Sequence, residues 1–156
     1  MAHPPKLPDP RVNRLLAALP EAEWVRWSSS LEPVDMVLGQ VLYESGSMLE
    51  HVYFPATAIV SLLYVMENGA SAEIAVVGNE GIVGISLFMG GDSTPSRAVV
   101  QSAGHGFRLP AGILKDEFSR AFQIACAQWR SFAPLLERTD FDAQRATATF
   151  ATELLR

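Results

Sequence analysis

Few side chains in this 156-residue chain are equipped for chemistry, and their spacing decides against most of it. The histidines are His3, His51 and His105. A metal site in a small β-rich domain wants a close histidine pair with a carboxylate, and no such grouping occurs, so no metal centre is expected. Cys126 is the single cysteine, which excludes an internal disulfide and any site built on two or four thiolates. It reads as a free thiol in a reducing compartment. There is no Gly-x-Ser-x-Gly nucleophile elbow and no P-loop run. Asp35, Glu67, Glu73, Glu80 and Asp92 are scattered among turns and strands and form no acid–base pair. No catalytic residue is assigned, and the chain is not read as an enzyme.

One segment does invite a ligand. Gly78 to Ser102 holds glycine-rich turns, a short apolar stretch Ile82–Met89, and the run Thr94-Pro-Ser-Arg-Ala-Val-Val100. Backbone N–H groups exposed at such turns, with one arginine and nearby hydroxyls, make a cradle for an anion.

The elements that must position this segment follow from pattern. Hydrophobic residues make up 49% of the chain and charged residues 19%, the balance of a globular domain. The net charge of −5 opposes non-specific binding to nucleic acid or anionic membrane. Residues 1–12, rich in proline, read as a disordered leader without an apolar signal core. The longest apolar stretch, Ala58 to Met66, falls well short of the ~20 residues a membrane helix needs, so a cytoplasmic protein is expected.

Residues 11–30 read as helical, with Asn13 as a cap and Pro20 as the break between two turns of helix. Leu15, Leu16, Leu19, Trp24 and Trp27 supply the apolar face. From Leu31 onward short strand-like runs alternate with turn residues. Asn68-Gly69 between two such runs predicts a hairpin with a type I′ turn. His51 is placed at a strand end and His105, between two glycines, in a turn. Many short strands at close spacing point to a β-sandwich or barrel. Pro110 opens a second helical region. There Phe118, Phe122, Ala125, Trp129, Phe132 and Leu136 form an a/d seam.

Residues 13 to about 120 resemble the sensor domain of Crp/Fnr-type bacterial transcription regulators. The resemblance is carried by Asn13-Arg-Leu-Leu-Ala-Ala-Leu-Pro20, Gly39-Gln-Val-Leu-Tyr-Glu-Ser-Gly46 and His51-Val-Tyr-Phe-Pro55. Gly78-Asn-Glu-Gly-Ile-Val-Gly84 and Pro95-Ser-Arg-Ala-Val-Val100 continue it. It implies a mainly β fold with flanking helices: an eight-stranded double-stranded β-helix, or jelly roll, of cyclic-nucleotide-binding type. A dimerisation helix then follows, which places the seam from Phe118 to Leu136 between two protomers. Residues 121–156 would comprise that helix and a divergent tail.

The resemblance also implies a ligand site, with Gly84, Ile85, Ser86, Leu87, Ser96, Arg97, Ala98 and Val99 as its candidate residues. In nucleotide-binding relatives a Gly-Glu pair opens a phosphate cassette, the Glu holds the ribose, and an Arg after the loop pairs with the cyclic phosphate. Here Gly84 or Ile85 falls where that Glu is expected. Arg97 is displaced by about one place, leaving Ser96 at the arginine position. One residue along a strand turns the side chain to the other face. A cyclic nucleotide is the ligand the family implies, but this cassette is degenerate and tight cAMP binding in the usual manner is not expected. No helix-turn-helix pattern is found in 121–156, so no direct nucleic-acid contact is expected from this chain, and none with a membrane. The expected partners are a small-molecule effector and a second copy in a homodimer. The alternative is a protein–protein module that heterodimerises with a full-length regulator through its helix.

Overall fold

The computed structural model describes residues 8–84, 94–117 and 119–120. The chain begins with local signals. A single 3-10 turn, Pro10–Val12, is capped by Asp9, whose carboxylate accepts from the Arg11 N–H. It delivers Asn13 as the cap of helix α1 (Arg14–Ala17). Pro20 then caps helix α2 (Glu21–Ser28), whose first turn carries Glu21 and Glu23 at the positive end of the helix dipole. Leu16, Leu19 and Trp27 are buried, while Leu15 and Trp24 are only partly so. Trp27 meets the Phe54 ring at 6.3 Å between centroids, and its indole N–H has no hydrogen-bond partner in the protein.

Seven strands follow among the described residues: β1 (Glu32–Met36), β2 (Val41–Tyr43), β3 (His51–Pro55), β4 (Ile59–Val65), β5 (Ser71–Val77), β6 (Ser96–Ser102) and β7 (Gly104–Pro110). They form two antiparallel sheets, ordered β1-β7-β3 and β2-β6-β4-β5. The first four strands alternate between the sheets, so the chain winds around the core as a jelly roll. The sheets bury period-two rows, as a half-covered pleated surface requires. Val52, Phe54, Phe107 and Leu109 come from one sheet, and Val60, Ala98 and Val100 from the other. A helix, α3, opens directly after Pro110 and occupies 111–117. No helix among the described residues is long and apolar enough to cross a membrane.

Two local expectations need correction. The β4–β5 hairpin forms, but not through a type I′ turn. In the loop only Gly69 has positive φ (83°), and among the described residues no non-glycine does, so Asn68 is not left-handed. Met66 N–H donates to Ala70 O and Gly69 N–H to Met66 O. The loop therefore has three residues: an ordinary turn closed by one left-handed glycine, the next most common hairpin geometry. His105 is not in a turn but inside β7, opposite Asp35 of β1. Gly104 and Gly106 flank it because the backbone comes close there. A Cβ on Gly104 would lie 2.6 Å from Ala58 N, and one on Gly106 would lie 2.9 Å from Phe54 O.

The edge strand β5 has a further irregularity. Across the hairpin, Leu62 faces Ala75 and Leu63 faces Glu73, so Ile74 has no partner in β4. It is a surplus residue, a β-bulge, and it is 57% exposed.

Candidate functional site

The strand β6, inside its sheet, carries four of the eight candidate residues. Alternation sorts them: Ser96, Ala98 and Val100 are buried, while Arg97 and Val99 are only partly buried. Tyr43 of β2 sits opposite Ala98, and Tyr64 of β4 sits opposite Ser96. Ser96 therefore shares its face of the sheet with both tyrosines, Tyr43 buried and Tyr64 exposed.

Ser96 does not stand alone there. Its Oγ lies 2.9 Å from Thr94 Oγ1, and its own N–H donates to that same Thr94 oxygen at 3.2 Å. The Ser96 side chain also neighbours the Tyr43 hydroxyl and favours its ionised form. Burial pushes the Tyr43 pKa above the ordinary tyrosine value, and the Ser96 side chain opposes that only in part. All three hydroxyls are buried. This end of the interior is lined with hydroxyl oxygens, of which those of Thr94 and Ser96 satisfy each other.

Arg97 points the other way. Its Nε approaches Glu44 Oε2 at 3.2 Å, with both side chains more than a third exposed. The contact is an ion pair without hydrogen-bond alignment, since that Nε makes no hydrogen bond. The β2–β3 loop that supplies Glu44 also holds the start of β6. Gly46 N–H donates to Thr94 O at 2.8 Å, and Ser45 Oγ donates to Pro95 O at 2.9 Å.

Gly84 lies across the interior, beside β3. Its φ of +104° is one that only glycine adopts readily, and a Cβ there would come within 3.1 Å of Val52 Cγ1. Just before it, Val83 is fully buried and exchanges both backbone hydrogen bonds with Tyr53, at 2.8 and 2.9 Å. This bridge lies at the start of the apolar stretch Ile82–Met89, of which residues 85–89 lie outside the described residues. Ile85, Ser86 and Leu87 lie outside the described residues. So does the whole dimer seam: Phe118, Phe122, Ala125, Trp129, Phe132 and Leu136.

Sequence reasoning missed Tyr43 and Thr94 as members of this cluster. Tyr43 joins it through the β2–β6 register, which is irregular between Val41 and Tyr43 and is not written in either strand alone. Elsewhere, His105 Nδ1 meets Asp35 Oδ1 at 2.8 Å on the exposed surface. Among the described residues no three His, Cys, Asp or Glu side chains gather as metal ligands.

Comparison with known proteins gives the geometry a context. The profile of the family described as "Cyclic nucleotide-binding domain" matches residues 34–121. No curated protein matches the chain. Among solved structures, the sensor domain of the transcriptional regulator DNR from Pseudomonas aeruginosa superposes with a TM-score of 0.59 at 14% identity, covering 81% of this chain and 88% of that one. The N-terminal domain of a transcriptional regulator from Streptomyces coelicolor A3(2) gives 0.57 at 26% identity, covering 84% and 92%. A mutant regulatory subunit of a cAMP-independent protein kinase A from Trypanosoma brucei, bound to cAMP, gives 0.58 at 16% identity. There 65% of this chain spans only 38% of that one.

Proposed function

This chain belongs to the cyclic nucleotide-binding domain family, and from that premise we propose that it is a regulatory, ligand-sensing domain that does not take cAMP in the usual manner. The regulator sensor domains it resembles support the first half of this reading. The second half rests on one observation: Ser96 faces the interior and Arg97 faces Glu44.

The physical reason is the cost of a buried anion. A cyclic phosphate enclosed by the jelly roll needs a cation on the inner face, and β6 presents a serine hydroxyl there instead. Losing a charge-assisted pair removes about 1.5–3 kcal/mol, or roughly ten- to hundred-fold in affinity. Turning Arg97 inward would break its pairing with Glu44 and reverse the alternation of β6. The mechanism of such a domain is a shift in packing between the jelly roll and the helix that follows it, biased by ligand. Output through a homodimer of residues 118–136 belongs to the same proposal.

Calorimetric titration of the ligand-free chain with cAMP and cGMP tests it. The expected result is no stoichiometric, saturable heat with either nucleotide. Tight one-to-one binding overturns the reading, because it requires a cation at the phosphate.

A further inference from the structure

Asn13 is fully buried although it is a polar residue near the start of the described chain. Its carboxamide spends every hydrogen-bonding position on the protein. Oδ1 accepts from Leu15 N–H at 3.0 Å and from Leu16 N–H at 3.3 Å, which caps α1. Nδ2 donates at 2.9 Å to Pro55 O, at the end of β3, and at 2.9 Å to Gly81 O, in the turn before Val83. The next residue adds a third tie: Arg14 N–H donates to Asn79 O at 2.7 Å.

The two halves of this side chain do different work. A cap needs only an acceptor, and Asp or Ser serves a helix N-terminus as well as Asn does. The two donor bonds have nothing to do with the helix. They pin Gly81 against the end of β3, and Gly81 lies three residues before Gly84. Between them Val83 pairs with Tyr53 of the same strand. The carboxamide therefore fixes where the chain approaches the inner face at Gly84. We infer that Asn13 is a positioning residue of the candidate site, acting through its Nδ2 donors on the 78–84 turn and not through its cap. The meaning of that site rests on the sensor reading above. The tie itself is tested without any ligand.

Asn13→Asp and Asn13→Ser separate the two halves. Both keep an acceptor for Leu15 and Leu16 N–H. Asp sets a carboxylate against two carbonyl oxygens, and Ser leaves those oxygens unpaired. Amide hydrogen exchange on the full chain reads the result region by region. In both variants the expected outcome is exchange about ten-fold or more faster at Tyr53 and Val83. Exchange at Ala17 in α1 and at Val60 and Val100 in the opposite sheet should stay close to wild type. A purely structural role would accelerate all of these together, and that result overturns the inference. So does exchange at Tyr53 and Val83 that stays at the wild-type rate. Should Asn13→Asp not fold, Asn13→Ser decides alone. Because cyclic-nucleotide titration is a separate measurement, failure of the tie and failure of the sensor reading are told apart.

Discussion

Ser96 and Arg97 are adjacent in the chain and face opposite sides of one sheet, Ser96 hydrogen-bonded to Thr94 inside and Arg97 paired with Glu44 outside. A single step along β6 thus separates the hydroxyl from the charge. The two residues should respond unequally to substitution. Ser96→Ala leaves Thr94 Oγ1 short of a buried partner and should cost about 1–2 kcal/mol. Arg97→Ala removes a half-exposed ion pair and should cost no more than about 1 kcal/mol. Urea unfolding of the two variants checks the order, which reverses if Arg97 is the inward residue.

Alkaline pH should act on two phenols, the buried Tyr43 and the partly buried Tyr53. Burial raises the pKa of Tyr43, opposed by the Ser96 side chain. Burial raises that of Tyr53 too, with Glu50 adding to the rise and Arg108 opposing it. A group whose folded pKa lies above its unfolded value contributes stability that is complete below the unfolded pKa. It is lost as pH rises through the folded one. Stability should therefore fall once pH passes the ordinary tyrosine value of 10.0. Tyr43→Phe and Tyr53→Phe should each flatten that decline, as unfolding at stepped pH will show.

Gly84→Ala should destabilise the chain by about 1–3 kcal/mol, because it adds a left-handed penalty to a contact with Val52. Gly112→Ala is the control, since a Cβ there meets nothing within 4 Å. Thermal unfolding of the pair should show a drop for Gly84→Ala alone.

Leu109→Ala removes a fully buried side chain at the centre of the β1-β7-β3 sheet. A cost of about 2–5 kcal/mol is expected. Denaturant unfolding measures it, and a cost below about 1 kcal/mol would mean that the face holding Phe54 and Phe107 is not a packed core.

What the sequence made legible was governed by local rules. Asn13 announced itself as a cap, Pro20 and Pro110 as helix boundaries, and alternating apolar runs as strands. The opposite facing of Ser96 and Arg97 follows from a period of two, so it too can be read from the chain. The rest depends on pairing across distance. Nothing near Asn13 says that its Nδ2 reaches Gly81, 68 residues away. Tyr43 reaches Ser96 only through an irregular register. Gly104-His105-Gly106 looks like a turn until the neighbouring backbone that crowds both glycines is in place. Asn68-Gly69 misled for a subtler reason: the pair is compatible with two loop lengths, and strand register chose the longer.

The surplus residue at Ile74 has a consequence for how these molecules behave in a crowd. β5 is the outer strand of its sheet, seven residues long, with no proline or lysine and one charged residue, Glu73, whose carboxylate accepts from Ser61 Oγ at 2.7 Å. A straight ribbon of that composition is a template on which another chain can crystallise its own backbone, and the process repeats without limit. The kink at Ile74 breaks the ribbon into two stretches too short to seed such growth. Deleting that one residue would restore the straight edge, and the expected penalty is turbidity at concentrations where the parent chain stays clear.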